Sequence, residues 1–319
     1  MCRSRRRSPL PSLAACTALM LGAGIAALPP AASAQPAARP PEAMTTPRAT
    51  PNCPSDEAVA TLARNLLANR PSPPFTGMTS LEDGLCAQDK LVRLLQSHWG
   101  RPVGYKLALT SAPVQQRFGV NQPVRGVIFE NTVRLRSGAE VPARFGVMPI
   151  IESDFLVRVR DGGINNAGRD PVEILRHLDQ VIPYIELADV PLSGAPDAAN
   201  LLAVNAGARL GVLGEPIPVE ATEDFARRLG AMMVTMTDDT GRQLARLPGT
   251  AVLGHPLNAV AFLLEDLAKA GRRLEAGQLL SIAGFSPLIT PEPGRTYTVR
   301  YDGLLAQPVS VSVRIAPAP

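Results

Sequence analysis

The sequence predicts an α+β fold in which a helical N-terminal region precedes a mixed, curved β-sheet or roll. Three observations carry this. Two apolar stripes at helical spacing precede residue 100. From Val103 onward short apolar or alternating runs recur, punctuated by Gly, Pro, Asn and Asp. Neither a GxGxxG nor a P-loop follows any of those runs, which weighs against a doubly wound nucleotide fold. The 319 residues, 45% of them hydrophobic, suffice for a sizeable core, and the 4% aromatic content leaves aliphatic side chains to fill it.

Residues 1–34 read as a secretory signal peptide. Arg3, Arg5, Arg6 and Arg7 form a charged start, Leu13 to Leu28 is apolar and uncharged, and Ala32-Ser33-Ala34 supplies a cleavage site. A lipoprotein box ending at Cys16, a twin-arginine signal and a short membrane anchor are weaker readings, the anchor because the apolar run is short and holds Gly22 and Gly24. Cleavage after Ala34 implies a periplasmic or secreted protein with no stable membrane insertion. The mature chain then keeps 28 basic residues against 28 acidic ones, so nothing favours nucleic acid as a partner. It also keeps Cys53 and Cys86, an even pair that in an oxidising compartment predicts one disulfide; two buried free thiols are the alternative.

Residues 35–52 are rich in Pro, Ala and Thr without apolar periodicity, as a disordered linker would be. Order should begin near Ser55, a helix cap with Asp56 and Glu57 in the first turn and Val59, Leu62, Ala63, Leu66 and Leu67 as its stripe. Ser80 opens a second helix with Leu85, Val92 and Leu95 on its buried side. Strand-like runs follow at 103–109, 126–129, 150–159, 181–190, 208–213, 232–237, 279–283 and 297–301. Helices are expected near Val172–Val181 and from Pro256 to about Ala270, the latter with proline at its start and Gly271 at its end.

Chemistry concentrates in three of these runs. Period two places Glu152 and Asp154 on one face of their strand, with Ile151, Phe155 and Val157 opposite. Glu186 stands alone in the apolar run Val181-Ile-Pro-Tyr-Ile-Glu-Leu-Ala. Burying three carboxylates is costly unless a cation offsets it, and oxygen-only donors suit Mg²⁺, Mn²⁺ or Ca²⁺. The spacing alone equally allows a solvated face, or pairing with Arg158 and Arg209. Lys106 could be an acid/base of depressed pKa, an anion partner or an edge-strand lysine. His98, His177 and His255 lack zinc spacing, with helix capping or a core role the default for His255, and no GxSxG elbow is present.

Several segments together resemble the 2-keto-4-pentenoate hydratase family of the fumarylacetoacetate hydrolase superfamily: Gly104-Tyr-Lys-Leu-Ala-Leu-Thr-Ser, Gly119-Val-Asn-Gln-Pro, Ile151-Glu-Ser-Asp, Ile185-Glu, Asn205-Ala and Gly254-His-Pro-Leu-Asn-Ala. The resemblance runs from about Ser55 to about Val313 and implies a hydratase-like catalytic domain over residues 53–319, with a roll of that superfamily's C-terminal type. It implies that Glu152, Asp154 and Glu186 hold Mg²⁺ or Mn²⁺, with Lys106 moving protons. It also implies a small unsaturated 2-oxo acid as substrate, a metal-chelated enolate and a homo-oligomer. Arg125 could assist an acidic substrate, and the Gly284–Ser286 loop could contact a carboxylate. The chain departs from the family at Val124, where an acid is usual after Gln-Pro, and at Tyr105, where an arginine is usual. Relatives of this core also decarboxylate 2-oxo acids or hydrolyse C–C bonds, and a catalytically weak periplasmic oxo-acid-binding protein is a further alternative.

Overall fold

The computed structural model describes residues 50, 52–282 and 284–317. The expected signal peptide and nearly all of the expected linker lie outside them. Helices α1 (Asp56–Leu67) and α2 (Leu81–Trp99) come first, followed by β1 (Pro102–Ala108), α3 (Ala112–Arg117), β2 (Val124–Phe129), β3 (Leu135–Arg136) and β4 (Ala139–Val141). Next are β5 (Pro149–Val159), α4 (Pro171–Arg176), β6 (Leu178–Asp189), α5 (Ala198–Ala203), β7 (Leu210–Leu213), β8 (Ile217–Pro218) and α6 (Glu223–Ala231). The chain continues through β9 (Met233–Asp238), β10 (Gln243–Pro248), α7 (Pro256–Lys269), β11 (Leu279–Ser281), β12 (Thr296–Asp302) and β13 (Val309–Ile315).

The fold is α+β, and its strands divide into two mixed sheets. The larger runs β2-β1-β11-β5-β6-β7-β3 with β8 beside β6; the smaller runs β10-β9-β12-β13-β4. Parallel pairs (β1 with β11, β3 with β7, β4 with β13) sit among antiparallel ones. One face of the larger sheet enters the main core. Leu107, Ile151, Phe155, Val157, Ile185, Leu187, Val212 and Leu280 meet Val299, Tyr301, Val311 and Val313 of the smaller sheet there. The period-two reading of β5 therefore holds: Ile151, Phe155 and Val157 are core residues, and the intervening positions occupy the other face.

The helices start where their caps dictate. Ser55 Oγ accepts from Ala58 N at 3.2 Å. Ser80 and Asp83 form a capping box, with Asp83 Oδ2 accepting from Ser80 N at 3.1 Å. His255 caps α7 by accepting from Leu257 N at 3.1 Å, a capping role that needs no ligand. A disulfide joins Cys53 to Cys86 with Cα atoms 5.8 Å apart, stapling the entry of α1 to α2. Closing this 33-residue separation contributes about 3–4 kcal/mol in the chain-entropy model.

Two departures from the expected elements have clear causes. The helix expected over Val172–Val181 stops at Arg176, because β6 begins at Leu178 and pairs with β5 along nearly its whole length. Tertiary pairing outweighs the local helical pattern there. The strand β13 was absent from the expected set although Val-Ser-Val-Ser-Val alternates strictly; three of those valines lie close to the chain end, yet Val311 and Val313 are fully buried.

Candidate active site

Strand pairing assembles the acidic cluster. β5 and β6 pair with Glu152 opposite Glu186 and Asp154 opposite Tyr184. Cross-strand partners share a face, and so do residues two apart, so all three carboxylates project from the face turned away from the main core. Lys106 of β1 is in register with Ser281 of β11, which in turn faces Leu156 of β5. This brings lysine to the same face across one intervening short strand. Tyr301 braces the arrangement from below, its hydroxyl donating to the Asp154 carbonyl and accepting from Tyr184 N at 3.1 Å.

Lys106 Nζ forms an ion pair with Glu186 Oε1 and donates to the Ala206 carbonyl at 3.1 Å, with both charged side chains almost wholly buried. That carbonyl is presented by an unusual turn. Asn205, Ala206 and Gly207 all have left-handed backbone angles, φ of 58°, 51° and 74°. Such conformations are strained for Asn and Ala and persist only where the surroundings impose them. Here the Asn205 side chain pins the turn to β2, accepting from Val127 N at 2.7 Å and donating to Val127 O at 2.9 Å. Gly126 permits the approach, since a Cβ there would lie 2.5 Å from the Asn205 carbonyl.

Burial dominates the electrostatics. It pushes Glu152 up to about 7, with Glu186 adding repulsion and Lys106 opposing. Burial raises Asp154 well above the usual carboxylate range, again reinforced by Glu186, while hydrogen bonds from Ser281 and Phe155 N pull the other way. For Lys106, burial alone would favour the neutral amine. The Glu186 charge, followed by Glu152 and Asp154, overturns this and holds the ammonium above its ordinary value. The depressed-pKa option for Lys106 is thereby corrected: in this arrangement it is an anion partner.

The expected site residues separate into two groups. Gly284 lies beside Glu152, where a Cβ would come within 3.1 Å of Oε1. Ser286 Oγ accepts from Ser153 N at 3.0 Å and so fastens the loop to β5. Arg125 does not join them. It pairs with Leu107, not Lys106, so it emerges on the opposite face and forms an ion pair with Asp266 of α7. A one-residue offset in a strand reverses the face, which is why proximity in sequence misled there. Sequence reasoning also overlooked Ser281 and Tyr184, which line a cavity of about 10 Å³ with Lys106, Glu186 and Arg209, the last foreseen only as a possible partner for the acids. Ser281 and Tyr184 were detectable as polar positions in apolar runs; the Ala206 carbonyl, being backbone, left no side-chain signal.

Among the described residues, no three acidic, histidine or cysteine side chains already surround one point. Glu186 turns to Lys106, and Asp154 to Ser281. The donor set nevertheless fits a hard cation in its chemistry: three carboxylates on one buried face, without sulfur or nitrogen ligands, and mutually repelling in the cation's absence.

No family model matches the chain. It is 30% identical over 207 residues to 2-keto-4-pentenoate hydratase of Paraburkholderia phymatum, covering 64% of this chain and 76% of that one. The chain belongs to the 2-keto-4-pentenoate hydratase family. It is an enzyme by that membership. Within the wider group, 4-oxalocrotonate decarboxylase of a Pseudomonas species is 29% identical over 233 residues, 73% of this chain and 84% of the relative. The solved 4-oxalocrotonate decarboxylase of Pseudomonas putida, complexed with calcium and acetate, aligns with a TM-score of 0.71 at 26% identity, covering 83% of this chain and 99% of that structure. The same enzyme has been solved with magnesium and adipate. Relative to the hydratase family's usual pattern, Val124 gains a structural meaning. It pairs with Ala108 and so lies on the Lys106 face, where it is buried and apolar.

Proposed function

We propose that this chain is an exported, divalent-metal-dependent hydratase acting on a small unsaturated 2-oxo acid of the 2-hydroxypenta-2,4-dienoate type. The observation that carries the proposal is the buried Lys106–Glu186 pair set beside Glu152 and Asp154 on one sheet face. Glu152, Asp154 and Glu186 would hold Mg²⁺ or Mn²⁺. When bound, the ion supplies Lewis acidity toward the substrate's 2-oxo group. Lys106 would deliver its Nζ proton to the far carbon of the dienol and be reprotonated as the 2-hydroxyl proton is released, and water would then add across the remaining conjugated double bond. The Ala206 carbonyl and Glu186 orient that ammonium, while Tyr184, Leu156 and Ile182 exclude bulk water from the same face. Because the cavity holds about one water-sized group, substrate entry must displace side chains around the Lys106–Glu186 pair.

The test is turnover of a panel of 2-oxo acids and their dienols by chelator-treated protein, with Mg²⁺ or Mn²⁺ added back and products identified by NMR. Hydration restored by metal is the expected result. Carbon dioxide release would point to the decarboxylase chemistry of the relative, and release of two carbon fragments to C–C hydrolysis. The apolar Val124 on the site face favours a second reading, a weakly catalytic oxo-acid-binding protein; ligand binding with no turnover of any panel member would establish it. Assembly into a homo-oligomer accompanies the proposal by family resemblance.

Export rests on the N-terminal charge and hydropathy pattern and on the disulfide, which suits an oxidising compartment. Protein isolated from its own host should have an intact mass beginning at Gln35. A cytoplasmic product retaining Met1 would overturn this.

A further inference from the structure

We propose, resting on the preceding reading of the site as a hydratase centre, that the Tyr184 hydroxyl holds and aims the water that adds to the substrate's conjugated double bond. Tyr184 thereby acts at the hydration step and not at ketonisation of the dienol.

Strand register sets the phenol beside the reacting groups. Tyr184 precedes Glu186 by two residues on β6, so both project from the same face. On the neighbouring strand β7, Leu213 is opposite Tyr184 and Gly211 is opposite Glu186. The ring does not stay over its own partner but leans across to Gly211. A Cβ there would lie 1.7 Å from the Tyr184 hydroxyl oxygen and 2.1 Å from ring Cζ. Gly211 has no left-handed backbone angle that would call for glycine; the space taken by the phenol is the reason for it. Opposed Cβ positions on one face are roughly 4.5–5.5 Å apart, so the hydroxyl stands about that far from the root of the Glu186 side chain. The backbone is fixed as well, with Tyr184 N donating to the Tyr301 hydroxyl at 3.1 Å.

The hydroxyl itself is uncommitted. Tyr184 is 4% exposed, and a buried phenol ordinarily finds a partner. Among the described residues its hydroxyl makes no hydrogen bond, whereas those of Tyr297 and Tyr301 both serve the fold. Leaning toward Glu186, it reaches the cavity of about 10 Å³ that Tyr184 lines with Lys106, Glu186, Thr132 and Ser281, room for one water. The other two hydroxyls in that wall are already used: Thr132 donates to the Phe129 carbonyl at 2.8 Å, and Ser281 donates to Asp154. Lys106 uses two of its three N–H groups, on Glu186 and the Ala206 carbonyl, and has a third to offer. A water here donates one proton to the phenol oxygen, which turns an oxygen lone pair toward the substrate. As its C–O bond forms at the carbon β to the 2-oxo group, the π electrons shift toward the oxo oxygen to give an enolate. The α carbon then takes a proton from Lys106, and Lys106 recovers the one the water loses, so Tyr184 ends the cycle unchanged.

The experiment supplies 2-hydroxypenta-2,4-dienoate to Mg²⁺-loaded wild type and Tyr184→Phe, with dienol loss and 4-hydroxy-2-oxo acid formation followed by NMR. Tyr184→Phe should form the hydrated product about 10²-fold more slowly, the cost of a misplaced reacting group, while enzyme-dependent dienol loss changes by less than about threefold. The 2-oxo-3-enoate should therefore accumulate, with KM near the wild-type value. Because the hydroxyl has no partner in the fold, metal-free Tyr184→Phe should melt no lower than wild type. Hydration at the wild-type rate would show the hydroxyl to be idle. A parallel fall in both steps would make Tyr184 only a wall of the pocket. A variant that melts well below wild type, or does not fold, would make the hydroxyl a structural tie. Each of these overturns the proposal while leaving the hydratase reading intact. Wild type that forms no hydrated product sinks the hydratase reading itself, and the Tyr184 assignment with it.

Discussion

Lys106→Met is expected to lower turnover by about 10²–10⁴-fold, the range seen when a positioned proton donor is lost. It should also destabilise the metal-free protein by about 3–5 kcal/mol, because removing one member of a buried pair leaves the other uncompensated. Glu186 would be left among Glu152 and Asp154 with no cation, on a face closed by Leu156, Ile182 and Tyr184. A double substitution, Lys106→Met with Glu186→Gln, should recover most of the stability and none of the activity. Urea unfolding and steady-state kinetics on wild type and the two variants measure both. Should Lys106→Met unfold at the wild-type midpoint and retain full turnover, Lys106 would be a bystander.

Asp154→Asn should move stability and metal affinity in opposite directions. Asp154 is buried, and burial together with the Glu186 charge holds its pKa well above the unfolded value. An acid of raised pKa binds protons more readily in the folded state. Its ionisation therefore opposes folding as pH rises above the unfolded carboxylate range. Asparagine removes that opposition, so the metal-free variant should melt at a higher temperature than wild type at neutral pH. Loss of the charge should weaken Mg²⁺ or Mn²⁺ by about 100-fold, about 2.7 kcal/mol. Calorimetry of chelator-treated protein, read beside thermal melts, checks the pair. An Asn variant with unchanged metal affinity would remove Asp154 from the ligand set. One that melts lower would place its carboxylate in a structural role with Ser281 and Phe155.

The parts of the site that were legible in the sequence are those governed by strand periodicity. Glu152 and Asp154 could be assigned to one face because alternation is local. Their union with Glu186 across β5 and β6 required the register, and the resemblance supplied what spacing could not. Lys106 was found by the motif around it, but its charge state depends on three carboxylates distant in sequence. Arg125 shows the opposite failure: a cation one residue before Gly126 lies on the wrong face and is used by Asp266. Arg209 was visible only as a possible partner for the acids. Its neutral surroundings, Trp99, Phe145 and Asn69, come from three separate segments. The division of the strands into two sheets was likewise beyond local pattern, since β4 and β13 pair across more than half the chain.

The Cys53–Cys86 bridge reaches further than the helices it joins. Two residues beyond Cys86 on α2, Gln88 donates to the Arg125 carbonyl at 2.8 Å and to the Leu202 carbonyl at 3.2 Å. The strand receiving that bond is the one the Asn205 turn grips two residues further on along the same edge, so a covalent tie at the start of α1 tightens the frame around the Lys106 ammonium. The thiol redox state of the surroundings then becomes a condition on the stiffness of that frame: with the two cysteines reduced it is held by hydrogen bonds alone, and under the export proposed above an oxidising compartment would complete it.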